Sequence, residues 1–424
     1  MSPTLLQRLW IPQRRGQLQP AAGLHAYDQA EEGQPATRYH LRVDPDGGGL
    51  LVVNATACAQ LSASGVLIAA SLLQGQSDEA VLKKLAQRFD GGAPAQQRQD
   101  VAQMRGMLHT LAHPQGRFPV FNLADPSAQP APLMPPFEAT LPLAGPDQLK
   151  PLLARLWQAG IVHVTLLTPP APAPAALVAA VQQATAAGLI CGISGRASDL
   201  AADHLLDDLI AAGLDHLTLA YASPRAELHD SLYGAGDHAL AEALFARTEA
   251  LALADVAQMP LIAATVDDLD ATLARLLALR VLNVRFFAIA GRGQDDDGAI
   301  PAASMAQVAA DVEEAAERAQ VLYLWQPPAL RQPDLTLAEQ VRRGPRCASD
   351  VAIRVEPEGA VIPPRGPHRV AGNLLRDEWP AIWQDAAFKA YRSRIERPTR
   401  CLTCPGLAIC AADCPREPAG WSQD

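Results

Sequence analysis

The run Ile161-Val-His-Val-Thr-Leu-Leu167 is followed by an amphipathic stretch over 176–187 and then by Leu189-Ile-Cys-Gly-Ile193. Short apolar runs rich in β-branched residues read as buried strands, and the longer stretch between them carries helical periodicity. Strand, helix and strand at this spacing demand a crossover connection, and hence a parallel sheet covered by helices. The same alternation spreads in both directions. Candidate strands are Phe137–Leu141, Leu217–Tyr221, Leu261–Thr265, Val284–Ala290 and Val321–Leu324, with candidate helices at 199–212, 237–253, 267–279 and 304–319. A barrel and a doubly wound sheet both satisfy this order. About six units fit, fewer than the eight of a closed barrel, so the expected α/β fold over 137–325 is a partial (β/α)6 barrel.

A different pattern precedes the barrel, over 36–114. Tyr39-His-Leu-Arg-Val43, the turn Asp44-Pro-Asp-Gly-Gly-Gly49 and Leu50-Leu-Val-Val53 predict a hairpin. Ser77 is placed to cap a helix with Asp78 and Glu79 in its first turn, and Val81, Leu82, Leu85 and Phe89 would share one face. Asp100 would open a further helix through Val101, Met104, Leu108 and Leu111. A proline-rich linker, 115–136, follows. Beyond the barrel, in 346–424, Val351–Val355 and Ala360–Ile362 flank Pro357-Glu-Gly359 as a second hairpin, with a helix expected over Trp379–Ile395.

Composition excludes several classes. Half the residues are apolar (49%), 19% are charged and the formal charge is −10, with four lysines in 424 residues. That is globular, and no basic stripe exists to meet nucleic-acid phosphates. No window approaches the ~20 apolar residues of a membrane span. Met1 to Gly16 lacks a signal-peptide apolar run, so the cytoplasm is the expected location.

Four of the seven cysteines form Cys401-x2-Cys404-x5-Cys410-x3-Cys414. Such clustering, with Pro405 and Gly406 to turn the chain, points to a metal centre, and the spacing alone leaves zinc and iron–sulfur open. Cys191 and Cys58, flanked by apolar residues, read as buried small hydrophobes. His229-Asp230 reads as a helix-start or loop pair, and Arg292, between two glycines, as a solvated loop arginine or an anion contact at a strand end.

The tail resembles the SPASM domain of radical SAM peptide-modifying enzymes. Arg346-Cys347 with eleven residues between it and Gly359, Ala371-Gly-Asn-Leu374, Ile382-Trp383 and Phe388 extend the resemblance upstream. It departs at Pro364, where the family has a cysteine, and after Pro415, where no further cysteine follows. Carried over, Cys347 and Cys414 would form a depleted first site. Cys401, Cys404 and Cys410 would form a second that needs a fourth ligand. The resemblance therefore implies one 4Fe-4S cluster on the tail cysteines, alone or with Asp413 or Asp424, with zinc as the alternative.

The middle region is similar to the radical SAM barrel without its cysteine loop. After Phe137-Glu-Ala-Thr140 comes Leu141-Pro-Leu-Ala-Gly-Pro146, where the family carries Cys-x3-Cys-x2-Cys. Val164-Thr-Leu-Leu-Thr168 runs into Pro169-Pro-Ala-Pro172 in place of the family's Gly-Gly-Glu-Pro. Ile193-Ser-Gly195, His229-Asp-Ser-Leu-Tyr-Gly234 and Gly291-Arg292 resemble later strand ends. The implied reading is a pseudoenzyme that does not use S-adenosylmethionine, although another barrel activity stays open. Residues 36–114 resemble PqqD-like peptide chaperones, in which a leader peptide adds a strand to an exposed hairpin edge. A generic winged-helix domain is the plainer alternative. The implied partner is a precursor peptide or an intact radical SAM enzyme.

Overall fold

The computed structural model describes residues 20–29, 37–54, 57–89, 93–112, 136, 138–143, 145–251, 253–291, 297–349, 352–364 and 368–396. Two compact units emerge, one built mainly from residues before 114 and one from the rest.

The first unit has strands β1 (Gly23–Gln29), β2 (Thr37–Val43), β3 (Gly49–Val53) and β4 (Ala57–Leu61) in that spatial order. Helices α1 (Ala63–Leu73), α2 (Asp78–Arg88) and α3 (Pro94–Ala112) follow. The hairpin is as expected, but neither of its edges is open. β1 pairs antiparallel with β2 from Gly23↔Val43 to Gln29↔Thr37, and β4 lies beside β3. The Ser77 hydroxyl accepts the Ala80 N–H at 3.3 Å, which caps α2 as its sequence requires. Val81 and Leu85 are buried beneath it. Asp100 does not open α3. The helix begins six residues earlier at Pro94, whose fixed φ suits a first helical position, and Asp100 accepts from Gln96 inside it at 2.8 Å.

The second unit is the barrel. Its parallel strands are β5 (Glu138–Pro142), β6 (His163–Leu167), β7 (Ile190–Gly195), β8 (His216–Ala220), β9 (Ala254–Leu261) and β10 (Asn283–Gly291). They alternate with α4 (Pro146–Gln158), α5 (Pro174–Ala186), α6 (Leu205–Ala211), α7 (Ala226–Tyr233), α8 (Asp237–Ala250), α9 (Ala263–Val266) and α10 (Leu269–Ala278). Strand β11 (Ile300–Pro301), α11 (Met305–Ala319), β12 (Leu322–Trp325) and β13 (Ala329–Leu330) complete the far side, all three strands pairing with β10. Helix α12 (Leu337–Arg343), capped reciprocally by Thr336 and Glu339, precedes the next hairpin.

That hairpin, β14 (Ala352–Val355) and β15 (Ala360–Ile362), turns at Gly359 with φ +92°. A side chain there would also strike Asn373 Oδ1 at 2.8 Å. β14 pairs parallel with β5, so residues 352–373 continue the barrel's sheet through β15 to β16 (Gly372–Asn373). The single helix expected over 379–395 is two, α13 (Trp379–Trp383) and α14 (Ala386–Glu396).

One strand lies elsewhere than expected. The fifth of the seven candidates, Leu261–Thr265, is the end of β9 and the start of α9; the strand proper is Ala254-Asp-Val-Ala-Gln-Met-Pro-Leu261. Asp, Gln and Pro hide it from a propensity reading. The first two are accommodated by the fold: the Asp255 carboxylate accepts the Thr248 hydroxyl at 2.6 Å on the helix side, and Gln258 meets the Ser194 hydroxyl at 3.4 Å on the other.

Candidate functional site: the interior of the barrel

Alternate residues of β5 to β10 serve different neighbours. Ala139, Leu141, Val164, Leu166, Cys191, Ile193, Leu217, Leu219, Met259 and Phe286 join the large apolar core with Leu149, Leu152 and Leu156 of α4 and their counterparts on other helices. Cys191 is thus the buried hydrophobe expected of it. The residues one position along face the interior, and many are polar: Glu138, Thr140, His163, Thr165, Ser194, His216, Thr218 and Arg285 are all buried.

Glu138, Thr165, His163 and His216 are linked side by side. Glu138 accepts the Thr165 hydroxyl at 2.8 Å on one oxygen and the Ser349 hydroxyl at 3.1 Å on the other. His163 Nδ1 stands 3.4 Å from Glu138 Oε1, and its Nε2 is 2.7 Å from His216 Nε2. Two imidazoles so close share one proton, so one ring donates while the other accepts. Burial, together with the positive charge of Arg285, pushes His163 well below the ordinary imidazole range. Burial does the same to His216, helped by His163 and Arg285 and opposed by Glu138.

Gly192 makes the pair possible. It lies on β7 in register with His216, and a Cβ there would fall 2.0 Å from the His216 ring. Arg285 enters from β10, in register with Gln258 on β9. Its guanidinium is buried with none of its three nitrogens hydrogen-bonded among the described residues. Burial lowers its proton affinity while Glu138 supports it.

Toward the strand C-termini the interior turns apolar. Ala220, Ala222, Ile262, Phe287 and Ile289 pack with Leu232 and Tyr233 of α7 and with Val341 of α12. The chain leaving α12 then follows the inner faces. The position of a Gly344 Cβ would lie 3.4 Å from Gln258 Nε2, and the Ala348 N–H donates to Thr140 Oγ1 at 2.8 Å. Cys347 is therefore buried on this segment, beside β5.

His229 and Asp230 sit in the body of α7, not at a helix start, because the helix begins at Ala226. His229 Nδ1 accepts the Ala222 N–H at 3.2 Å and Nε2–H donates to Asp237 at 3.0 Å, which uses both ring nitrogens in structure. Asp230 accepts the His238 and Gly236 N–H groups, and these bonds hold its carboxyl below the usual range. Arg292, Cys401, Cys404, Cys410, Cys414, Asp413 and Asp424 lie outside the described residues, as do the side-chain surroundings of Cys58. Among the described residues no group of three or more His, Cys, Asp or Glu is arranged to hold a metal ion, and no helix is long and apolar enough to cross a membrane.

The connection from β5 to α4 offers Leu143, Ala144 and Gly145 and no thiol. The Leu143 N–H is committed to the Leu167 carbonyl at 3.0 Å, which ties the connection to β6.

The interior residues carry no sequence signal that singles them out as a site. Glu138, His163, His216 and Arg285 are each a charged or ring-nitrogen residue at an alternate position of an apolar strand, but nothing in the sequence says that four different strands aim them at one layer.

No family model matches the chain, and no curated protein matches it. Solved structures do. SuiB from Streptococcus suis bound to S-adenosylmethionine superposes with a TM-score of 0.52 at 11% identity, over 88% of this chain and 93% of that one. A second structure of SuiB gives 0.51 at 11% identity over 91% and 98%, and its complex with precursor peptide SuiA gives 0.50 at 10% over 88% and 93%. The mixed α/β architecture with its parallel sheet is similar to the fold of SuiB.

Proposed function

We propose that this chain is a peptide-binding member of the radical SAM and SPASM type that has given up cleavage of S-adenosylmethionine and keeps one metal centre on its tail. The observation that carries the reading is the thiol-free connection between β5 and α4 in a fold that otherwise keeps its strand order. Three thiolates leave one iron of a cluster open to a ligand, and without them that iron is not held.

Peptide binding is supported by the first unit and by the precursor peptide bound in the SuiB structure. A peptide strand needs a row of free main-chain groups. β1 already covers the outer edge of β2, so β4 is the edge at which a precursor peptide would add. Cys401, Cys404, Cys410 and Cys414 would hold a 4Fe-4S cluster, or zinc, with Cys347 the further candidate ligand.

Anaerobically reconstituted protein incubated with S-adenosylmethionine and dithionite yields no 5′-deoxyadenosine on this reading; its formation ends the proposal. Iron and sulfide analysis with a broad absorption at roughly 400 nm identifies the cluster, and stoichiometric zinc without iron identifies the alternative metal.

A further inference from the structure

The guanidinium of Arg285 is the group that the fold leaves unanswered. Its N–H donors meet no acceptor among the described residues. Glu138 opposes its charge, yet both Glu138 oxygens already take hydroxyl protons, from Thr165 and Ser349. A guanidinium keeps its proton in a protein, and buried donors without acceptors lose the hydrogen bonds they had in water. On β8, His216 Nδ1 and Thr218 Oγ1, two residues apart on the same face, are also buried without a hydrogen-bond partner among the described residues.

The tautomers follow from the neighbours. With the His163 Nδ1–H directed at Glu138, His163 Nε2 accepts from the His216 Nε2–H across 2.7 Å. His216 Nδ1 then presents a lone pair. The layer therefore offers a planar fork of donors, a hydroxyl and one basic nitrogen. A carboxylic acid is the complement: two oxygens for the fork and one proton for the nitrogen. A single water supplies one oxygen and no charge.

We propose that the barrel interior binds one small monocarboxylic acid, its carboxylate on Arg285 and Thr218 and its proton on His216 Nδ1. The acid's O–H bond breaks and an N–H bond forms. The carboxylate and Glu138 are then balanced by Arg285 and the His216 imidazolium, and His163 stays neutral between them. This site is separate from the peptide edge on β4 and stands or falls without it.

The test uses the purified full-length protein with formate and acetate as probes, chloride at equal ionic strength being the control. The thermal midpoint rises with acetate or formate and not with chloride. Because binding the anion takes up one proton, affinity for acetate increases about tenfold for each unit by which pH is lowered, and calorimetry in two buffers of different ionisation heat reports that uptake. Arg285→Met abolishes the response. Thr218→Val, close in shape and independent of the buried charge, weakens acetate binding about tenfold through one lost hydrogen bond and serves should Arg285→Met not fold. Absence of any carboxylate-dependent shift in the unmodified protein, an undiminished response in Thr218→Val and Arg285→Met, or water alone on Arg285 in crystals grown with acetate overturns the proposal.

Discussion

On β5 to β10 the residues that face the helices are aliphatic or aromatic apart from Cys191 and Asp255, whereas those one position along carry a carboxylate, two imidazoles, a guanidinium and several hydroxyls. Both faces are equally dry. The outer face gains from burial in proportion to apolar area removed from water. The inner face gains only where each polar group finds a partner, since burying an unpaired charge costs far more than a lost contact. The difference teaches that the barrel is held together from outside and tuned from inside.

The contrast is sharpest in substitutions that strike one face at a time. Phe286→Ala removes a fully buried ring on the helix side that packs 5.4 Å from Trp325, and it costs about 4 kcal/mol. Glu138→Gln keeps the shape of its side chain but leaves Arg285 without its countercharge, for about 3 kcal/mol. Gly192→Ala drives a methyl into the His216 ring and costs about 2 kcal/mol. Urea unfolding followed by tryptophan fluorescence measures all three, because every tryptophan among the described residues (157, 325, 379 and 383) lies in the barrel unit. Equal losses at Glu138→Gln and at a surface carboxylate such as Asp270→Asn would break the contrast.

The outer face was legible in the sequence, and the inner one was not. Runs such as Val164-Thr-Leu-Leu167 announce strands whatever their neighbours, which is why the parallel sheet could be read from spacing. Glu138 and Ser349 are 211 residues apart and meet only because β14 returns beside β5. Strand β1, with Leu24 its one buried residue, has too little apolar pattern to be read at all. β9 fails for the opposite reason, since Asp255 and Gln258 look like loop residues until Thr248 and Ser194 are placed against them. Of the candidate site, Cys347 was singled out for its spacing, but its position against Thr140 depends on the path from α12, which no local signal encodes.

The smallest effect separates the faces by pH. His163 and His216 have folded affinities for protons well below the unfolded value of about 6.5. The unfolded chain therefore binds protons that the folded barrel refuses, and stability falls as pH drops below that value, by about 1.4 kcal/mol per unit for each imidazole. Asp255, on the helix side of β9, runs the other way. Burial raises it from 3.8 to about 6 despite the Thr248 hydrogen bond, so the folded state holds a proton that the unfolded state releases. Its contribution is present at low pH and is lost as pH rises from about 4 to 6. Between those limits the two imidazoles outweigh the carboxyl, leaving a net loss of about 1.4 kcal/mol per unit on acidification. Asp255→Asn removes the opposing term and makes acid unfolding steeper, while His163→Gln makes it shallower. Both slopes are read from urea midpoints between pH 7 and 5 in buffers free of carboxylates, which would otherwise compete for Arg285. A slope unchanged by His163→Gln would mean that the inner layer does not feel pH, and the distinction between the two faces would then rest on packing alone.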